Sequence, residues 1–240
     1  MFSNSEALSR ASHELRTPLN AILGFGQLLQ LDELNESQRH SVEQIMAGGR
    51  HLLALIEDLL DLSRLNASGL EMQPVDVGAQ ITEAVSLCAP LATEGSLTLT
   101  IDAGDQPQWA AADPRRLKQV LLNLISNAIK YNRPGGSITV RARPDGHDGV
   151  RIDVADSGVG MSYRQLTRLF QPFERLDAPA RGIDGNGLGL AVSKALVEAM
   201  HGTIDVASTP GAGSVFSVRL PATLATSALP AAAEALAEAA

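Results

Sequence analysis

Apolar residues recur at Leu8, Leu15, Ile22 and Leu29, and Ala11, Leu19 and Phe25 fill neighbouring positions of the same stripe. A second stripe at helical spacing runs through Val42, Ile45, Leu52, Ile56 and Leu59. Between them, Leu31-Asp-Glu-Leu-Asn35 reads as a short polar turn, so residues 1–66 are expected to form a helical hairpin. Two helices alone cannot bury both sides of such long stripes. The expected partner is a second copy, giving a four-helix bundle and a symmetric homodimer.

The pattern changes after residues 67–75, where the Ser, Gly and Pro of Asn66-Ala-Ser-Gly-Leu-Glu-Met-Gln-Pro74 read as a linker. Residues 78–92 look helical and 96–102 alternate like a strand. Asp113-Pro114 supplies an N-cap and a proline at the first helical position, and that helix should run to about Tyr131. Strands at 137–143 and 150–155, helices at 162–169 and 188–200, and a hairpin over 203–220 turning at Pro210–Gly213 complete the pattern. Mixed strands and helices segregated in this way predict an α+β sandwich over 76–221. The Ala-rich stretch 222–240 reads as a linker or frayed helix and is assigned no function.

Composition narrows the function classes. The 240 residues are 45% hydrophobic, enough for a real core, which excludes wholesale disorder. A net charge of −8 argues against non-specific nucleic-acid or anionic-membrane binding. Cys88 is the single cysteine and forms no internal disulfide, which fits a reducing compartment. No apolar run reaches the roughly 20 residues that span a bilayer, and the acids of the first thirty residues do not suit a signal peptide. The expectation is a soluble, cytoplasmic protein with no membrane segment.

Four constellations carry chemistry. His13 lies off the stripe that holds Leu8 and Leu15, with Glu14 beside it to accept a ring proton and Thr17 one turn on, about 6 Å away. Pro18 removes the hydrogen bond to the carbonyl of Glu14, in a place where a helix break ordinarily costs about 3 kcal/mol. Asn123 and Asn127, four apart on one helix, offer neutral amide oxygens suited to Mg²⁺ on phosphate, with Lys130 as a phosphate contact and Tyr131 to pack against a base. Asp156-Ser-Gly-Val-Gly-Met161 follows a strand, placing an acid for an exocyclic amine beside glycines that admit a ring. Gly185-Asn-Gly-Leu-Gly-Leu190 runs into an amphipathic helix whose N-terminus suits phosphate oxygens. Between these loops, Leu169-Phe-Gln-Pro-Phe173 is expected to anchor a lid over about 175–187, with Arg181 inside it as a phosphate contact. Each has a bland reading: an exposed histidine, two solvated asparagines, a plain turn, core aromatics.

The order of these segments resembles the sensor histidine kinases. Ser12-His-Glu-Leu-Arg-Thr-Pro-Leu-Asn20 is similar to the H box and Asn123-Leu-Ile-Ser-Asn-Ala-Ile-Lys-Tyr-Asn132 to the N box. Asp156-Ser-Gly-Val-Gly160, Phe170-Gln-Pro-Phe173 and Gly185-Asn-Gly-Leu-Gly189 resemble the first glycine box, the F box and the second glycine box. The resemblance covers roughly residues 5–220. It implies a dimerisation and phosphotransfer hairpin followed by an ATP-binding domain of the Bergerat type shared with gyrase, Hsp90 and MutL. Carried over, His13 would accept the phosphoryl group, Glu14 would activate it and Thr17 would support dephosphorylation of a regulator. Asn127 would hold Mg²⁺ with Asn123 supporting it, and Lys130 and Tyr131 would line the nucleotide. Asp156 would read the adenine amine within a pocket shaped by Gly158 and Gly160. Gly185, Gly187, Leu188 and Gly189 would form the hinge and phosphate edge of the lid. The implied cofactors are ATP and Mg²⁺, and the implied partner is a response regulator receiver domain. Two rivals stay open: a scaffold with an inactive ATP domain, and a Bergerat ATPase using water as acceptor.

Overall fold

The computed structural model describes residues 4–64, 69–102, 104, 106–174, 176 and 187–224. Two long helices come first, α1 (Asn4–Leu29) and α2 (Glu36–Arg64), with α1 running through Pro18. The turn between them ends in a reciprocal cap. Asn35 N–H donates to Gln38 Oε1 at 3.0 Å and Gln38 N–H to Asn35 Oδ1 at 2.9 Å, which starts α2 by satisfying two otherwise orphaned donors. Leu19, Val42, Met46 and Ile56 are buried along the seam. Gly26 faces Met46 and Gly49 faces Leu23, so the absence of a Cβ at both lets the helices close. The heptad residues predicted as one stripe lie elsewhere: Leu15 is 52% exposed, Ile22 49% and Phe25 68%, with Ile45 and Leu52 exposed on α2. The hairpin therefore has two apolar faces, one inside the chain and one outside it.

The second unit follows as β1 (Gln73–Asp76), α3 (Val77–Glu94), β2 (Thr98–Asp102), β3 (Trp109–Ala112), α4 (Pro114–Lys130), β4 (Ser137–Pro144) and β5 (Gly149–Asp156). The one-turn α5 (Tyr163–Leu166), then α6 (Gly189–Ala199), β6 (Thr203–Thr209) and β7 (Gly213–Pro221) complete it. Five strands form a sheet in the order β2-β4-β5-β7-β6, with β2 and β4 parallel and the rest antiparallel. One face packs Val140, Ile152, Val154 and Val218 against Leu121, Leu124 and Leu196 of the helices. The other face is polar. There Asp153 is buried between Arg143 (2.6 Å), Arg151 (2.7 Å) and Ser217 Oγ (2.6 Å). Burial pushes its carboxyl up, but the hydrogen bonds from Ser217 and Arg151 and the charges of both arginines outweigh that and hold it below the usual range.

Three expectations need correction. Residues 73–75, the end of the segment read as linker, instead form β1 together with Asp76, paired antiparallel with β3. Neither strand was visible in the sequence, because Gln73-Pro-Val-Asp and Trp109-Ala-Ala-Ala lack a run of β-branched residues. The helix expected over 162–169 closes after Leu166 and continues as turns, with Leu169 N–H bonding Leu166 O and Gln171 N–H bonding Arg168 O three residues back. The strand expected from Ser96 starts at Thr98, since Ser96 has φ +54°. Among the described residues no helix is long and apolar enough to cross a membrane. Residues 65–66 of the hairpin, 67–68 of the linker and 225–240 of the tail read over 222–240 lie outside the described residues.

Candidate active site

Helix α4 is the wall on which the site is built. Asp113 caps it, its Oδ1 accepting from Arg115 N–H at 3.0 Å and Arg116 N–H at 3.3 Å, and Pro114 occupies the first turn. Its apolar side buries Leu117, Leu121, Leu124 and Ile125, which turns Asn123 and Asn127 together toward α6. Asn123 Nδ2 donates to the buried Ser193 Oγ of α6 at 2.8 Å. Asn127 Nδ2 donates to Asn123 Oδ1 at 3.4 Å. The Asn123 amide is thus engaged by protein at both ends, while no described residue donates to Asn127 Oδ1. Gly189 opens α6 against this pair, where a Cβ would lie 3.0 Å from Asn123 Cγ. Among the described residues no group of three or more His, Cys, Asp or Glu is placed to hold a metal. The Asn127 Oδ1 is a hard, neutral oxygen of the kind that suits Mg²⁺.

The far end of the same helix holds the glycine-bearing loop that follows Asp156. Tyr131 O accepts from Val159 N–H at 3.2 Å, and Gly158 passes so close that a Cβ there would overlap Tyr131 O. Gly160 has φ +63° and would overlap Thr209 O. Gly211 N–H donates to Val159 O at 2.7 Å, and Met161 N–H to Ser208 Oγ at 2.8 Å. Residues 157–161 are thus laid between the end of α4 and the β6–β7 turn. At the head of this loop, Asp156 accepts from Gly158 N–H at 2.8 Å and from Ser214 N–H. Burial raises its pKa above the usual carboxylate value, outweighing both donations.

The described residues on either side of the segment read as a lid lie against each other. Leu169 is buried, and the Phe170 ring lies 5.5 Å from Lys194 Nζ of α6. Phe173 adopts φ +64° and is 64% exposed. Gly187, at φ +70°, sits against the Phe173–Glu174 backbone, where a Cβ would come 2.7 Å from Phe173 C. Leu188 is buried at the start of α6. Lys130 is exposed in the last turn of α4 and Tyr131 is its C-cap. Arg181 and Gly185 lie outside the described residues. On α1, Glu14 and Thr17 are exposed, and His13 lies in the helix with its side chain outside the described part. Ser193, Ser208 and Ser214 were missed by reading the sequence. Only Ser193 left a signal there, a hydroxyl one turn from Gly189 on the buried side of an amphipathic helix.

Residues 3–68 match the His Kinase A (phospho-acceptor) domain, and residues 112–224 match the family described as Histidine kinase-, DNA gyrase B-, and HSP90-like ATPase. The chain belongs to the histidine kinases. It is 40% identical over 229 residues to the non-motile and phage-resistance protein of Caulobacter vibrioides, covering 91% of this chain and 27% of that protein. It is 41% identical to the sensor protein GacS of Pseudomonas syringae pv. syringae, covering 90% of this chain and 25% of GacS. With the cell-division control histidine kinase PdhS of Brucella anthropi it shares 36% identity, over 91% of this chain and 22% of PdhS. The kinase chain thus spans about a quarter of the length of these curated relatives. Among solved structures, full-length ShkA in complex with AMPPNP is 34% identical with a TM-score of 0.79, over 93% of this chain and 47% of that one. The Acinetobacter baumannii histidine kinase AdeS gives 26% identity and a TM-score of 0.63, over 88% and 98% of the two chains.

Proposed function

We propose that this histidine kinase chain binds Mg·ATP on α4, transfers the γ-phosphoryl group to His13 and passes it to an aspartate of a response regulator docked on the hairpin. The observation that carries the reading is that one helix joins both loops: Asn123 and Asn127 face the start of α6, and Tyr131 O holds the loop headed by Asp156. Asp156 accepts the exocyclic amine of adenine, with Gly158 and Gly160 shaping the pocket and Tyr131 packing on the base. Asn127 would hold the metal, positioned by Asn123, and Lys130, Gly185, Gly187, Leu188 and Gly189 would edge the phosphates. Bound Mg²⁺ would neutralise charge on the phosphates as they separate. The ring nitrogen of His13 attacks the γ-phosphorus, the bond from phosphorus to the ADP oxygen breaks, and Glu14 takes the ring proton, leaving a phosphoramidate and ADP. Thr17, exposed on the same helix, would serve the reverse traffic by supporting dephosphorylation of the regulator.

The exposed stripe of Leu15, Ile22 and Phe25 with Ile45 and Leu52 supports homodimerisation through the hairpin. The test of the reaction is incubation with γ-labelled ATP and Mg²⁺, comparing the chain with His13→Ala. Label that is lost in acid, survives base and is absent from His13→Ala is the expected result. Base-labile label, or equal labelling of His13→Ala, would overturn the reading.

A further inference from the structure

Where the chain leaves β5 after Asp156, two side chains lock the bend. Ser137 at the start of β4 and Ser157 form the next pair of the ladder beyond Ile138 and Asp156. An antiparallel pair of this kind ordinarily exchanges two backbone bonds. Here Ser157 N–H donates to Ser137 O at 3.0 Å, but Ser137 N–H donates to Ser157 Oγ at 2.8 Å. The hydroxyl takes the place of the Ser157 carbonyl in the ladder, which lets that carbonyl turn out of it. The bend that follows brings Gly158 N–H back to Asp156 Oδ1 at 2.8 Å. Having accepted from Ser137, Ser157 Oγ gives its own proton to Asn132 Oδ1 at 3.3 Å. Asn132 Oδ1 also accepts from Arg133 N–H at 3.0 Å, and Asn132 Nδ2 donates to Ser137 O at 3.2 Å. Turning this amide over would set a donor against Arg133 N–H and an acceptor against Ser137 O, so its orientation is fixed. A Cβ at the buried Gly136 would overlap Asn132 Oδ1 and lie 2.8 Å from Ser157 Oγ, so the chain passes too close to this clip to carry a side chain.

We infer that Ser157, clipped to Asn132, is a positioning residue for nucleotide binding: its hydroxyl bends the chain so that Gly158 N–H fastens the Asp156 carboxylate in the direction that meets the base. The inference deepens the reading that Asp156 accepts the adenine amine, and it rests on that reading. Without the hydroxyl, Ser137 N–H loses its acceptor. The pair recovers the bond by turning the Ser157 carbonyl back into the ladder, as an ordinary antiparallel pair does. That carbonyl and Gly158 N–H belong to one planar trans peptide and point opposite ways. Turning the carbonyl toward Ser137 therefore carries Gly158 N–H off Asp156, and the carboxylate loses the bond that orients it. Asn132 acts one step behind, because by taking the Ser157 proton it keeps a lone pair of the hydroxyl aimed at Ser137.

The measurements are calorimetric titration of the full chain with ADP and Mg²⁺, and the amide proton shift of Gly158, which reports its bond to a carboxylate. The variants are Ser157→Ala, Ser157→Thr, Asn132→Ala and Asp156→Ala. Ser157→Ala is expected to weaken ADP about tenfold, the size of one hydrogen bond to a charged group, and to move the Gly158 amide upfield. Ser157→Thr keeps the hydroxyl and should restore both. Asn132→Ala should shift both in the same direction, and joined to Ser157→Ala it should add less than about twofold, because the two residues act as one clip. An ADP affinity or a Gly158 amide unmoved by Ser157→Ala, even with a lowered urea midpoint, would overturn the inference, as would failure of threonine to restore them. Asp156→Ala separates the two levels. If it leaves ADP affinity unchanged, the reading of Asp156 itself fails; if it weakens ADP while Ser157→Ala does not, only the role of Ser157 fails.

Discussion

Removing the carboxylate of Asp113 tests whether α4 is held at its start by the bonds described. Asp113 is 2% exposed. Oδ1 caps the helix through Arg115 and Arg116, and Oδ2 accepts from Glu71 N–H at 3.1 Å, fastening the chain that enters the domain to the helix that carries the asparagines. In Asp113→Ala the lost cap costs about 1 kcal/mol. The lost bond from Glu71 to a charged acceptor costs about 1.5 kcal/mol more. Glu71 and Arg115 are exposed, so water reaches the orphaned groups and the total should be about 2–3 kcal/mol. The assay is urea unfolding followed by the fluorescence of Trp109, the single tryptophan, which lies in β3 just before Asp113 and reports this domain alone. With a slope of about 2 kcal/mol/M, the midpoint should fall by about 1–1.5 M. Asn is as good a cap as Asp, but its amide nitrogen would face the Glu71 donor, so Asp113→Asn should lose about half as much. An alanine midpoint within about 0.3 M of the parent, or equal losses in the two variants, would refute this account.

Asn127→Ala should lower Mg-dependent ATP affinity more than about 100-fold and leave the dimer intact, whereas Asn123→Ala, acting on the ligand from behind, should cost about 10–100-fold; titration calorimetry with light-scattering mass checks both. Because burial raises the pKa of Asp156, its carboxylate is protonated as pH falls through a value above the ordinary carboxylate range. ADP affinity should therefore drop on acidification before exposed carboxylates titrate, and the drop should vanish in Asp156→Asn. For stability the sign is opposite: the buried charge costs folding free energy above the raised pKa, and that cost fades as pH falls through it. Phe25→Glu combined with Ile45→Glu should convert a dimer to a monomer by sedimentation while the Trp109 unfolding curve stays put; an unchanged mass would contradict the outer-face assignment.

Much of the candidate site was legible because the chemistry proposed for it demands particular residue types at fixed local spacing. Asn123 and Asn127 sit on one face since four residues make about one turn, and Asp113-Pro114 marks a helix start by capping chemistry alone. Gly158 and Gly160 were readable as places of close backbone approach, though not what approaches them. That depends on Tyr131 and Thr209, brought there by tertiary structure. Ser208 and Ser214 were illegible for the same reason. Their place beside the Asp156 loop comes from register with Asp156, more than fifty residues earlier, and register is a property of the pairing. In the hairpin, periodicity found the apolar residues but not their partners. The seam is set by Gly26 and Gly49, which allow close approach at Leu19, Leu23 and Met46, and so the heptad stripe of Leu15 and Ile22 faces outward.

The three functions gathered on α4 have a mechanical consequence. Asp113 at its start binds the entering chain at Glu71, Asn123 and Asn127 in its second half face α6, and Tyr131 at its end holds the Asp156 loop. At 1.5 Å per residue the asparagines stand about 15–20 Å from the cap and Asn127 only about 6 Å from Tyr131. The amide that would hold the metal and the anchor of the Asp156 loop are therefore neighbours on one rigid element, which on the proposed reading leaves little ordering to do when a nucleotide arrives. Displacement of the entering chain, by contrast, acts on the far end of that element. Because the core packs α4 through Leu117, Leu121, Leu124 and Ile125, such a displacement must move the helix as a body or break the Glu71 bond. The first course would shift Asn127 and the Asp156 loop together and leave their spacing unchanged. The second would leave nucleotide binding untouched. In the first course the entering chain governs where a bound nucleotide is presented rather than whether it binds, which is the division of labour that the proposed transfer to a histidine on a separate helical hairpin needs.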